Sequence, residues 1–229
     1  MYFFIIKEIK TMKKNLAIAL LLSVSAFMNA QNSQENTNSK PISASKISFG
    51  VKGGYSLSSM KFFDDPLDSK SYFYAGVVAE QPITSKFSVQ AEALYTQIGG
   101  KQHFPVVNFT GSGIVEDGSI EFDYQLTQIQ IPVSAKYYFI PNLSASVGMN
   151  FGINMSEKIK TDQIVNGSTS HNYENVKTLN LFPFLGAEYK ITESIFVDAR
   201  YNFNFIQVNK GDFTTKIGFL QAGVGYRFK

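Results

Sequence analysis

The chain contains no cysteine and no tryptophan, and only two histidines. The missing cysteine excludes a disulfide-stapled secreted scaffold and a thiolate metal centre. An excess of charge of one sign is missing as well. The formal net charge is +3, but Lys7, Lys10, Lys13 and Lys14, set against Glu8, account for all of it, and beyond them acids and bases balance. The alkaline isoelectric point is therefore no argument for a nucleic-acid surface, and nucleic acid is not expected as a partner. A membrane-spanning helix is excluded too, because the apolar stretch from Leu16 to Met28 falls short of the about 20 residues that a bilayer core requires. What the chain does have is aromatic side chains, with 12 Tyr and 21 Phe among 229 residues.

From Met12 the chain reads MKKNLAIALLLSVSAFMNAQ: two lysines, an apolar stretch, then the small Ala30 before a polar run. That is the layout of a secretory signal peptide, so residues 1–30 are expected to direct export, with Met12 the better start. Residues 31–46 (QNSQENTNSKPISASK) are polar, lack aromatics and include a proline, and are read as a disordered periplasmic tether. Residues 47–229 form the remaining domain.

Beyond Ile47 period-two alternation recurs along the whole chain, which indicates strands. Eight segments are read, at 47–58, 72–82, 86–98, 121–139, 143–157, 177–190, 195–208 and 216–228. In the last, Leu220, Ala222, Val224, Tyr226 and Phe228 share one face while Gln221, Gly223, Gly225 and Arg227 share the other. The links after even-numbered segments are tight (Ile83–Ser85, Ile140–Asn142, Ile191–Ser194); those after odd-numbered ones are long (Ser59–Ser71, Gly99–Ile120, Lys158–Val176, Asn209–Thr215). Short turns on the terminus side and long loops opposite are the pattern of outer-membrane barrels. The fold class expected is all-β: an eight-stranded antiparallel transmembrane barrel with periplasmic turns and extracellular loops. Closure is essential, because lipid leaves no partner for the backbone groups of an open edge.

With the apolar face turned to lipid, Lys52, Glu80, Glu92, Lys136, Glu188, Asp198, Arg200 and Arg227 gather inside. Eight strands enclose a lumen just wide enough for side chains. Four cations and four anions can neutralise one another there, so a plugged interior is expected. Two aromatic girdles are expected at the water boundaries, one from Tyr137, Tyr138, Phe139, Tyr189, Tyr226 and Phe228, the other from Tyr72, Phe73, Tyr74, Tyr95, Phe203 and Phe205.

Three stretches carry a family resemblance: Leu126–Phe139 (LTQIQIPVSAKYYF), the ending Gly223–Lys229 (GVGYRFK) and the opening Phe49–Ser56 (FGVKGGYS). They resemble the PorT-like outer-membrane β-barrel family, widespread in Bacteroidetes. In that family a strand reading roughly LxIPLLxKYYF runs into a short turn and the chain ends in a GxGYRF-type strand. Ser56 stands where asparagine is common. The ending also resembles the outer-membrane assembly signal, with Val224, Tyr226 and Phe228 at its alternate positions and Lys229 one residue beyond. The resemblance implies the fold, the bacterial outer membrane as location, and handling by the barrel-assembly machinery. One namesake is tied to gliding and protein secretion, a role the resemblance does not transfer.

Chemistry is sparse. His103 and His171 lie in expected loops without a metal-spaced partner; beside Ser112 or Ser170 either would suit a lipid A-modifying enzyme. Asp64, Asp65 and Asp68 lack a regular calcium-loop spacing. Glu116, Asp117, Glu121 and Asp123 surround glycines that have no following helix or lysine, which fails a phosphate-loop reading. Lys158 and Lys160 are placed to meet anionic headgroups. No catalytic residue, cofactor or metal is assigned. The leading expectation is a structural or interaction barrel whose loops contact lipid, lipopolysaccharide or a protein partner. The alternatives are an accessory component of a secretion or surface machine, a lipid A-modifying enzyme, and a soluble ligand-binding barrel with an apolar cavity.

Overall fold

A computed structural model describes residues 46–62, 65–110, 113–165, 168–172, 175–203, 205–210 and 214–228. The leader and nearly all of the tether lie outside the described residues. All regular structure within them is β, in chain order β1 (Ser48–Phe62), β2 (Asp65–Pro66), β3 (Lys70–Pro82), β4 (Phe87–Thr110), β5 (Gly113–Ile140), β6 (Leu143–Val165), β7 (Ser168–Asn172), β8 (Leu179–Lys190), β9 (Ile195–Asn202) and β10 (Thr215–Arg227). Eight of these form an antiparallel ring in the order β10-β9-β8-β6-β5-β4-β3-β1, closed by β1 against β10; the short β2 and β7 attach to β1 and β6. The closing seam runs from Gly50 opposite Arg227 to Phe62 opposite Thr215, so first and last strands pair along almost their full length. The expected eight-stranded barrel is the observed fold.

The tight turns have local causes. Ile83-Thr84 and Ile191-Thr192 use the same device: the Thr84 hydroxyl accepts from the backbone N–H of Lys86 and Phe87 at 3.2 and 3.0 Å, and Thr192 does so for Ser194 and Ile195 at 3.2 and 2.9 Å. A threonine thus satisfies the amides that the reversal strips of ladder partners.

The long connections depart most from expectation. The sequence pattern predicts a loop over residues 99–120, but β4 and β5 continue through them as a hairpin paired to Thr110 opposite Gly113. Neither neighbour follows, since β3 leaves β4 at Thr96 and β6 leaves β5 at Phe122. Glycines and charges broke the alternation, yet pairing in a two-stranded ribbon needs no buried face. A register shift at Pro105–Val107 bends the ribbon's free edge and, with the proline, blunts it. Similarly β6 runs on to Val165 and pairs β7, whereas the seventh ring strand stops at Asn202 rather than 208.

Alternation places Val51, Tyr55, Leu57, Val77, Val89, Val147, Leu185, Val197, Leu220 and Val224 on the outer face, all exposed. From Leu220 to Phe228 this belt spans about 20 Å once a roughly 40° strand tilt is allowed for, close to the height of an outer-membrane apolar band. An apolar girdle around a closed ring has only lipid for a solvent. Three girdle assignments need correction. Tyr72, Tyr74 and Tyr138 are 6 %, 2 % and 9 % exposed and point inward, because each sits one residue out of phase with the outward row. Phe73, Tyr95, Phe139 and Tyr226 do face outward.

Candidate functional site

The barrel interior is built from inward positions of all eight ring strands, and its side chains sort into layers from the turn end to the loop end. Nearest the turns, Glu80, Lys136, Glu188 and Arg227 form a closed ring of alternating sign. Lys136 Nζ lies 2.9 Å from Glu80 and 2.9 Å from Glu188; Arg227 Nη2 donates to Glu80 at 2.6 Å and to Glu188 at 2.8 Å. Ser88 and Tyr138 hydroxyls also donate to Glu80.

The next layer is a second ring of the same design. Arg200 Nη2 donates to the two oxygens of Glu92 at 2.7 and 2.6 Å and approaches Asp198 at 3.3 Å; Lys52 Nζ lies 2.6 Å from Asp198 and 3.4 Å from Glu92. Gln90 joins the rings, donating to Glu92 at 2.6 Å and accepting from Lys136 at 3.0 Å. Each ring holds two cations and two anions. Net neutrality matters because an uncompensated buried charge costs several kcal/mol. A gap of about 10 Å³ bordered by Gln90, Lys136, Phe184 and Arg200 is the size of roughly one water molecule.

Toward the loops the charges give way to amides. Gln128 donates to Asn154 at 2.7 Å, Gln130 to Gln128 at 3.0 Å, Asn150 to Gln130 and Asn202 at 3.1 Å each, and Gln221 to Gln130 at 3.2 Å. Above them Met60, Ile98, Leu126, Phe182, Ile217 and Phe219 form an apolar layer, and Leu67, Val176 and Val208 from the connections fold down onto it. Backbone hydrogen bonds hold those caps: Leu67 N–H to Met60 O at 2.8 Å, and Val208 N–H to Thr215 O at 2.9 Å. No periodic signal marks a single apolar residue in an irregular connection, so this lid was not legible in the sequence.

The eight charges singled out above therefore stand in two quartets bridged by Gln90. Val224, Tyr226 and Phe228 project from the outer face. His103 lies on β4, exposed, its Nδ1 3.2 Å from Asp68 and its Nε2 3.2 Å from Glu121; the ring of His171, on β7, faces the carbonyl of Ser168 at 3.1 Å. Lys101 donates to Glu121 at 2.7 Å, which holds that carboxyl below its usual range. Asp123 pairs with Lys70. Asp64 and Ser112 lie outside the described residues, as do the side chains of Glu116 and Asp117. Among the described residues no group of three or more His, Asp and Glu is arranged to hold a metal ion.

The family described as outer membrane protein beta-barrel domain matches residues 29–210. Neisserial surface protein A (NspA) superimposes with a TM-score of 0.52 at 18 % identity, covering 80 % of this chain and 100 % of that one. Ail, the attachment invasion locus protein of Yersinia pestis, gives 0.47 at 17 % identity over 80 % and 100 %. OprG of Pseudomonas aeruginosa gives 0.38 at 15 % over 79 % and 95 %. No curated protein matches in sequence.

Proposed function

The chain belongs to the outer membrane protein β-barrel domain family and is an outer-membrane β-barrel protein; from that premise we propose that it is a plugged interaction barrel, which anchors the β4–β5 ribbon above the membrane for contact with a partner. The observation that carries this reading is the contrast between interior and rim. The lumen is filled in succession by two neutral charge quartets, an amide layer and a loop-capped apolar layer, while the ribbon rises from Gln102 to Thr110 beyond both neighbouring strands, a length of roughly 30 Å. Material does not pass through such an interior, and a ribbon that emerges beyond its neighbours offers a partner a surface to recognise.

Residues 1–30 would direct export, 31–46 would tether, and 47–229 would be the barrel. Val224, Tyr226 and Phe228 would present the assembly signal to the barrel-assembly machinery, and the rim would meet lipopolysaccharide. The motifs at 126–139 and 223–229 support a PorT-like branch of the family. Planar-bilayer recording on the refolded full-length protein tests the plug: no discrete conductance is expected, and a steady ohmic current would overturn it.

A further inference from the structure

The barrel wall has a seam. The β3–β4 ladder runs from Pro82 opposite Ser88 to Tyr74 opposite Thr96 and stops, and among the described residues the backbones pair again at Asp68 opposite Lys101. The cause lies in Gly99 and Gly100. Gly99 gives its N–H to the inward Ser58 hydroxyl at 2.9 Å and accepts from it at 2.8 Å, while a Cβ on Gly100 would stand 2.9 Å from that of Met60. Without side chains there, β4 leans inward onto β1 and parts from β3. The parting leaves an outward-opening groove of about 430 Å³, bordered by Phe73, Ala75, Tyr95, Gln97, Gln125 and Lys70.

The groove is graded along the membrane normal. Its turn-side end is apolar and continuous with the lipid-facing belt: Tyr95 is 58 % exposed with Ala75 directly opposite it, and Phe73, the next outward residue of β3 toward the loops, is 72 % exposed. Its loop-side end carries the amides of Gln97 and Gln125, bonded to each other at 2.7 Å, and Lys70, paired with Asp123. At the back of the seam the Tyr72 hydroxyl is buried with no hydrogen-bond partner, 3.1 Å from where a Cβ on Gly99 would stand. An occupant must therefore be an amphiphile of the outer leaflet, apolar below and hydrogen-bonding above. Since Lys70 and Lys101 are already matched by Asp123 and Glu121, the head is read through hydrogen bonds rather than net charge.

We propose that this seam binds an acylated sugar lipid of the outer leaflet, one acyl chain lying between Phe73 and Tyr95 and the sugar hydroxyls and acyl linkage meeting Gln97 and Gln125. The proposal rests on the outer-membrane reading and names a site within it. Native mass spectrometry of the detergent-folded full-length protein with added lipid A tests it, with dioleoyl phosphatidylglycerol as the comparison lipid. A single retained lipid A is expected. Ala75→Trp, which fills the groove, should reduce that adduct about tenfold, whereas Leu185→Trp on the lipid face of β8 should leave it unchanged; a tenfold loss corresponds to about 1.4 kcal/mol. Absence of the adduct, equal loss in both variants, or equal retention of phosphatidylglycerol overturns the site. Heat-modifiable migration is checked in parallel: loss of the gel shift in the unmodified protein would instead overturn the outer-membrane reading, and a shift retained in Ala75→Trp confirms that its barrel is folded.

Discussion

Replacing Glu92 by glutamine tests whether the second quartet stabilises the barrel as a charge-balanced unit. The side chain keeps its shape and can still meet Gln90, which bonds Glu92 at 2.6 Å. What changes is the count: Arg200 and Lys52, at 2.6 and 3.4 Å from the Glu92 Oε2 carboxylate oxygen, are left to share Asp198. Removing one partner from a buried, hydrogen-bonded pair costs about 3–5 kcal/mol, because the remaining charge stays desolvated. Adding Lys52→Met returns the ring to one cation and one anion and should recover roughly 2 kcal/mol of that loss, a coupling a double-mutant cycle measures directly. Urea unfolding in lipid vesicles, followed by the fraction of heat-shifted band, supplies the free energies, and an unchanged urea dependence would show that the folded end state is the same. If Glu92→Gln lies within about 0.5 kcal/mol of the unmodified protein, the size expected of an inconsequential surface change, or if the double variant is no more stable than the single one, the quartet is not a coupled unit.

Gly225→Ala should cost about 1–3 kcal/mol by overpacking, since its Cβ would stand 2.1 Å from the Phe196 ring that Arg227 covers at 4.2 Å; Phe196→Leu in the same chain should restore much of the loss, read by the same unfolding assay. Leu185→Arg on the outer face of β8 should destabilise the vesicle-embedded barrel by about 2–4 kcal/mol, whereas Gln102→Arg at the base of the ribbon should be nearly neutral; equal effects would refute the assigned lipid boundary. At the rim, the Lys101 contact lowers the Glu121 carboxyl. Its contribution is therefore present above the ordinary carboxylate range and lost as pH falls through the depressed value, so amide exchange at the base of the ribbon should quicken only below that range.

Strand number, turn sides and the outward row were legible because they depend on local periodicity. Leu220 to Phe228 alternates wherever it is placed; a sandwich alternates too, and it is the balanced polar face and the short and long links sorted to opposite ends that point to a closed ring. Errors gathered where that rule has no purchase. The position of Tyr72 and Tyr74 near a loop end suggests the outer girdle, although their phase relative to Phe73 and Ala75 puts them inside. Gly99–Ile120 was read as a loop because neither face of a free ribbon must be apolar, so no alternation announces it.

Taken alone, the sequence determined an all-β barrel with an apolar exterior and a charge-balanced set of inward positions, since side-chain direction in a strand is a matter of parity. Pairing within that set was a matter for the tertiary structure. Glu80 meets Arg227 across 147 residues and Glu92 meets Arg200 across 108, so the division into two quartets depends on the stagger of the ring rather than on any local pattern. The lid of Leu67, Val176 and Val208 and the seam between β3 and β4 are likewise products of closure. Each arises where irregular chain or a pair of glycines settles against strands remote in sequence, and such contacts exist only once the ring has brought those strands together.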